Sequence, residues 1–236
     1  MKKNNSQIRK AIIFDSGVLI SFSMNGVTDI LTELKKIFKG KFLITSEVKR
    51  EVIDVPIKIK KFELEALKIK SLLDEGILEL PNSLGIKDSE IEKADNKLLN
   101  LANSTFIGKR RDIHILDHGE ASCLALSKIL TEREIDNLIA VDERTTRLLA
   151  ERPENLKSIF EDRMNTSIAI KKENLEFFKD FKIIRSTELA YVAYKNGLVD
   201  LKDGLIVLDA LLYALKFKGA AISGDEIEEM KRLSKA

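Results

Sequence analysis

The feature that most constrains this chain is the stretch Ile12-Ile13-Phe14-Asp15-Ser16-Gly17-Val18-Leu19-Ile20, where a short apolar run stops at a carboxylate and a second apolar segment begins at once. A run so short and continuous fits a strand buried on both faces, and such strands belong to parallel sheets covered by helices. Ligands of open parallel sheets bind outside the carboxyl ends of the strands, which is where Asp15 stands. An Asp ahead of a periodic apolar segment is equally a good helix N-cap. This stretch alone supports both roles, and the rest of the chain has to weigh them.

Leu138-Ile139-Ala140-Val141-Asp142 repeats the pattern, and two strand ends of this form favour a shared site over two unrelated caps. Between them, Asp117-His118-Gly119-Glu120 opens a helix of small residues with the spacing of a capping box, in which both carboxylates would only satisfy backbone donors. Earlier, 41–45 is a second short strand and 46–52 a helix that carries Glu47 and Glu51 four residues apart. Like charges at that spacing repel mildly, so either both face water or one has a function. Apolar periodicity predicts helices over 21–39, 58–74, 88–103, 186–196 and 205–217, with further strands over 77–80 and 182–185. That alternation predicts an α/β chain, a three-layer α/β/α arrangement around a central, mostly parallel sheet. Residues 205–217 are apolar nearly all round, as in a helix buried centrally or packed on another subunit, and Asp209 within them needs a partner.

The acids then raise the question of chemistry. Asp15, Glu51, Glu120 and Asp142 share a plausible address, and clustered carboxylates repel unless they are protonated or bridged by a hard divalent cation. Mg²⁺ or Mn²⁺ held that way can orient a phosphodiester, neutralise its charge and acidify an attacking water. One cysteine, Cys123, and two histidines exclude a disulfide framework and a multi-cysteine zinc site, so the ligands of any metal would be oxygens. Cys123 reads as a small core residue, and His114 and His118 as surface groups or neighbours of the acids. A net charge of +2 gives no global basic field, so a polyanion would have to be held by local patches. Lys109, Arg110 and Arg111 before the Glu120 helix, and Arg144 and Arg147 after Asp142, are candidates for phosphate contacts; otherwise they are solvated charges. No apolar segment is long enough for a bilayer and the opening MKKNNSQIRK lacks the apolar stretch of a leader, so a cytoplasmic protein with no membrane partner is expected.

Asp15 in IIFDSGVLI, Glu51 in ITSEVKREV, Glu120 in LDHGEASCLAL and Asp142 in LIAVDERTTRLLA, in that order, resemble the PIN-domain family of metal-dependent nucleases. The likeness is strongest to the prokaryotic branch with a Gly-Glu-Ala helix start and an Asp-Glu-Arg after the later strand. The stretch from Ile184-Arg185-Ser186-Thr187 through Ala221-Ile222-Ser223 is similar to the end of that branch. The resemblance implies one PIN-like domain over 1–236 with a helical insertion at about 58–116. It implies an acidic pocket for Mg²⁺ or Mn²⁺, with Asp15, Glu51, Glu120 and Asp142 as catalytic acids and Asp15, Glu120 and Asp142 as metal ligands. Ser16 would touch water or nucleic acid. The implied activity is cleavage of single-stranded RNA, as in the toxin halves of toxin–antitoxin pairs, with a protein inhibitor as a partner; the apolar 205–217 helix adds a homodimer. A haloacid-dehalogenase-type phosphatase also opens with a strand ending in Asp, but Gly17 stands where its second Asp would be. The alternative of another class is a PIN-like module that binds RNA or protein without cutting, against which the presence of all four acids speaks.

Overall fold

The structure is a computed structural model that describes residues 10–235; the opening residues 1–9 lie outside it. β1 (Lys10–Phe14) stops at Asp15, whose Oδ2 accepts the Gly17 N–H at 3.1 Å and so starts α1 (Ser16–Met24). The helix expected over 21–39 is in fact two, α1 and α2 (Asp29–Ile37), because the chain turns at Gly26 with φ 70°, a conformation glycine takes without strain. β2 (Lys41–Leu43) leads into the short α3 (Ser46–Lys49), capped by Thr45 Oγ1 on the Val48 N–H, and a π-helical turn, Arg50–Asp54, follows. The 58–74 helix is α4 (Glu63–Asp74), and the strand expected over 77–80 shrinks to a single parallel bridge between Leu43 and Glu79. α5 (Asp88–Asn103) precedes a hairpin of β3 (Phe106–Gly108) and β4 (Arg111–Asp112), then α6 (His118–Glu132) and β5 (Asp136–Ala140). The chain continues through α7 (Arg144–Glu151), α8 (Pro153–Met164), β6 (Ile168–Ile170), α9 (Lys172–Leu175) and β7 (Ile183–Ile184). It closes with α10 (Ser186–Lys195), α11 (Leu205–Phe217) and α12 (Gly224–Lys235).

The central sheet has the order β2-β1-β5-β7 and every pairing in it is parallel, with Ile12 opposite Phe42 on one side and Leu138 on the other. Helices flank it, which gives the three-layer α/β/α fold expected from the apolar strands. Four of the five residues of β1 are buried, and Phe14 meets Phe42 edge-on at 5.1 Å between ring centroids. Each such side chain fully removed from water contributes roughly 1.5–3 kcal/mol. The path from β1 to β2 lies on one side and β5 is added on the other, so the topological switch point is between β1 and β5. Crevices of open parallel sheets form there, at the carboxyl ends.

A second, antiparallel sheet, β4-β3-β6, was not legible in the sequence, because strands of two or three residues leave no alternation to detect. Residues 58–116 are built into the main core rather than appended to it. Ile69, Leu72, Leu78, Ile91, Leu98 and Phe106 belong to the same apolar cluster as β1, and α5 lies along α6. The nearly all-apolar α11 is sandwiched between α10 and α12, with Leu208, Leu212 and Leu215 buried, while Asp209 pairs with Lys231 at 2.7 Å. Ile206 and Phe217 on the same helix remain 73% and 79% exposed. Among the described residues no helix is long and apolar enough to cross a membrane.

Candidate functional site

Asp15 and Asp142 stand at the carboxyl ends of the two strands that flank the switch point, each only 4% exposed. The Asp15 N–H donates to the Ala140 carbonyl at 2.9 Å, which ties the end of β1 to the end of β5. The capping role uses only half of the carboxylate: Asp15 Oδ2 caps α1, while Oδ1 is buried without a hydrogen-bond partner. Burial pushes the Asp15 carboxyl up to about 6, the Gly17 and Ser16 N–H groups oppose this, and the charges of Glu51 and Asp142 add to it.

Asp142 does not cap the helix that follows it. Glu143 does, accepting the Thr146 N–H at 2.8 Å. Asp142 Oδ1 instead accepts the N–H of Ser186, at the start of α10, at 2.8 Å, and its Oδ2 has no partner. Its carboxyl is raised by burial, which outweighs the Ser186 N–H. Glu120 fills the capping role expected of it, Oε2 accepting the Asp117 N–H at 3.0 Å, but Oε1 also accepts the Thr146 hydroxyl at 2.6 Å. Burial pushes it up to about 7, with the Asp15 and Glu143 charges adding.

Glu51 lies on the π-helical turn, an irregularity that recurs at functional sites. The two glutamates of that segment have separated: Glu47 accepts from Arg50 Nε at 3.1 Å, while Glu51 turns toward the start of α6. A Cβ on Gly119 would come within 2.7 Å of Glu51 Oε2 and 2.9 Å of Oε1, so only glycine lets this carboxylate reach α6. Burial raises the Glu51 carboxyl and the Ser16 hydroxyl lowers it. Ser16 is thereby placed beside Glu51 as well as beside Asp15. Cys123 is a core residue as expected, its Sγ donating to the Phe14 carbonyl at 3.8 Å and its thiol held well above the usual range by burial.

The four acids thus share one electrostatic field, but among the described residues no three His, Cys, Asp or Glu side chains converge closely enough to hold a metal ion as they stand. Fit is supported by chemistry: the donors are all oxygens, and Asp15 Oδ1 and Asp142 Oδ2 are buried and unpartnered, a costly arrangement unless a positive group belongs there. The hydroxyls of Ser186 and Thr187 are buried without partners as well, and sequence reasoning missed them. The signal was available in principle, since this Ser-Thr pair follows the strand Ile183–Ile184 as Asp15 and Asp142 follow theirs.

Of the candidate basic contacts, Lys109, Arg110 and Arg111 are exposed at the β3–β4 hairpin, and Arg144 is exposed at the start of α7. Among the described residues none of the four has an ion-pair partner. Arg147 is less free than the other four: its Nη1 donates to the Ala221 carbonyl at 3.3 Å and its Nε stands 4.0 Å from Glu151, so it also braces the chain. Arg185, not singled out before, does more of this. It bonds Glu188, Glu226 at 2.8 Å and the Ala221 carbonyl at 3.1 Å, fixing α10 behind Asp142. Cavities of about 510 Å³ beside β7 and about 480 Å³ beside α3 open near the acids, and none of the four acids lines either one. Comparison with protein-family models, with curated proteins and with solved structures returns no match, so the site stands on the chemistry of its own residues.

Proposed function

We propose that this chain is a metal-dependent endoribonuclease of the PIN type that hydrolyses phosphodiester bonds of single-stranded RNA. The observation that carries the reading is the pair Asp15 and Asp142, which flank the switch point and each keep one buried carboxylate oxygen free. Asp15, Glu120 and Asp142 would hold Mg²⁺ or Mn²⁺, and the ion when bound supplies charge to the phosphodiester and acidifies the attacking water. Glu51, lifted by burial and seated against Gly119, completes the acidic ring and can accept a proton there. Purified protein incubated with single-stranded RNA and Mn²⁺, then with chelator, tests this directly. Cleavage that chelator abolishes supports it; RNA retained without cleavage would favour a binding module, and cleavage indifferent to chelator would remove the metal.

The RNA contacts in this reading come from the hairpin and from Arg144. Lys109 and Arg110 hold φ 49° and 62°, a left-handed backbone that Asn or Gly would adopt at less cost, and strain kept at an exposed basic tip points to use. Replacing Lys109, Arg110 and Arg111 with Ala is expected to lower the slope of log affinity against log salt by about 2 for a single strand. An unchanged slope in a filter-binding titration would take the hairpin out of the interface. A protein inhibitor would meet the same acidic crevice. For the homodimer, the support is now the exposed Ile206 and Phe217 on α11 rather than its buried face. A solution mass near twice 26.7 kDa, returned to the monomer value by Phe217→Glu, is the expected result, and a monomer mass at all micromolar concentrations would reject it.

A further inference from the structure

The segment from the end of the π-helical turn into α4 keeps apolar side chains at its surface. Val55, Ile59, Phe62, Leu64 and Leu67, all within residues 55–67, are between 40% and 61% exposed. Turn hydrogen bonds hold them in place: the Pro56 carbonyl accepts the Ile59 N–H at 2.9 Å, the Ile59 carbonyl the Phe62 N–H at 2.8 Å, and the Phe62 carbonyl the Ala66 N–H at 3.1 Å. α4 already buries its other face, with Ala66, Ile69 and Leu72 in the core, so Leu64 and Leu67 belong to a second apolar face that the described residues leave uncovered. Exposed apolar groups gathered in this way mark a contact surface.

The charge on the same segment says what it meets. Residues 55–62 carry three lysines, Lys58, Lys60 and Lys61, and no acid, a net +3 that exceeds the +2 of the whole chain. All three are exposed, and among the described residues Lys58 and Lys61 have no ion-pair partner. Lys60 pairs with Glu63 at 2.9 Å, and Lys61 Nζ lies 5.2 Å from the centroid of the Phe62 ring. Of the other acids nearby, Asp54 is matched by Lys49 and Glu65 is half-buried. The cores of protein interfaces are poor in lysine, and single-stranded RNA seeks stacking rings, of which this surface offers only Phe62. Lysines interleaved with Ile, Phe and Leu are instead the make-up of a segment that lies on an anionic bilayer, with apolar side chains at the acyl boundary and ammonium groups among the headgroup phosphates. We infer that residues 55–67 dock this protein onto an anionic lipid surface, with Ile59, Phe62 and Leu64 inserted and Lys58 and Lys61 on the headgroups. The absence of a spanning helix among the described residues excludes only a crossing by such a helix, and surface docking needs none. The docking is independent of the nuclease reading, since it uses none of the strand-end acids.

Sedimentation of the full chain with vesicles of phosphatidylcholine alone, and of phosphatidylcholine mixed with phosphatidylglycerol, tests it. Binding to the anionic vesicles only is expected, and it should weaken as salt rises. Lys58→Gln with Lys61→Gln, and separately Ile59→Ser with Phe62→Ser, should each weaken it about tenfold or more. Leu233→Ser, at an exposed apolar residue of α12, should leave it unchanged. The chain has no tryptophan, so Phe62→Trp supplies a single reporter whose emission should move to shorter wavelength when anionic vesicles are added. Every one of these positions is exposed, so the fold should persist, which far-ultraviolet circular dichroism checks. Absence of binding, equal binding to neutral vesicles, parental binding by either double variant, or emission that vesicles leave unmoved would each overturn the inference. So would an Ile59→Ser, Phe62→Ser protein that keeps its vesicle binding but falls from dimer to monomer, which would give the surface to a second copy. A Lys58→Gln, Lys61→Gln protein that loses only its affinity for single-stranded RNA would likewise overturn it and give the surface to nucleic acid.

Discussion

Asp15→Asn and Asp142→Asn are each expected to lower the rate of Mn²⁺-dependent RNA cleavage by about a hundredfold to ten-thousandfold, because several kcal/mol of charge stabilisation depend on the ion they would hold. The double variant should lose little more than either single one, since residues that act on one centre fail as a unit. Asn retains an oxygen that can accept the N–H of Gly17 or of Ser186, so the folds should persist and the loss should be one of chemistry. Gly119→Ala adds a separate check. The added Cβ would collide with the far end of the flexible Glu51 side chain, which can swing away, so stability should change by less than about 1 kcal/mol while cleavage falls. Single variants that cut RNA at the parental rate, or a double variant whose loss is the product of the two, would disconnect Asp15 and Asp142 from a common centre.

Without metal, the parent is expected to melt at a markedly higher temperature at pH 5 than at pH 8. Asp15 titrates near 6 and Glu120 near 7 in the folded chain, against the ordinary 3.8 and 4.5 of the unfolded one. Between those limits the folded state binds more protons than the unfolded state, so stability falls as pH rises from about 4 to about 7 and stays low above that. For Asp15, buried as it is, the effect reaches at most about 3 kcal/mol, and for the two acids together the melting temperature should fall by roughly 10 °C. Glu226, which burial would raise but the Ser223 N–H and the Arg185 guanidinium hold at about 2, stays ionised in the folded chain throughout; the stability it adds is gained as pH rises through the unfolded 4.5 and is nearly constant between pH 5 and 8. Asp15→Asn should flatten the profile and make the variant the more stable protein at pH 8. Added Mg²⁺ should raise the parent's melting temperature at pH 8 and the variant's less, as expected of a ligand bound only by the folded state. Scanning calorimetry at the two pH values, with chelator and with Mg²⁺, measures all of this. A parent profile flat from pH 5 to 8, or one that Asp15→Asn leaves unaltered, would mean the acids do not crowd.

The strands of the central sheet and most of the helices were legible in the apolar pattern, and so was the place of Asp15 and Asp142 just beyond two strand ends. Ile12-Ile13-Phe14-Asp15 and Leu138-Ile139-Ala140-Val141-Asp142 were legible because burial on both faces leaves a continuous apolar run, and the residue after the run has only the end of the strand to occupy. Periodicity reports which face of an element is covered, and nothing about what covers it. The tertiary structure therefore decided the rest. It placed Glu51 against Gly119 across a gap of 68 positions in the chain, turned Asp142 to Ser186 instead of to its own helix, and drew Arg147 into bracing Ala221. It also put α10 and α12 around α11, whose apolar circumference had fitted a central helix and a subunit interface equally well. Such pairings depend on which segments a parallel sheet brings together at its carboxyl edge, and that is settled by packing between residues far apart in the chain.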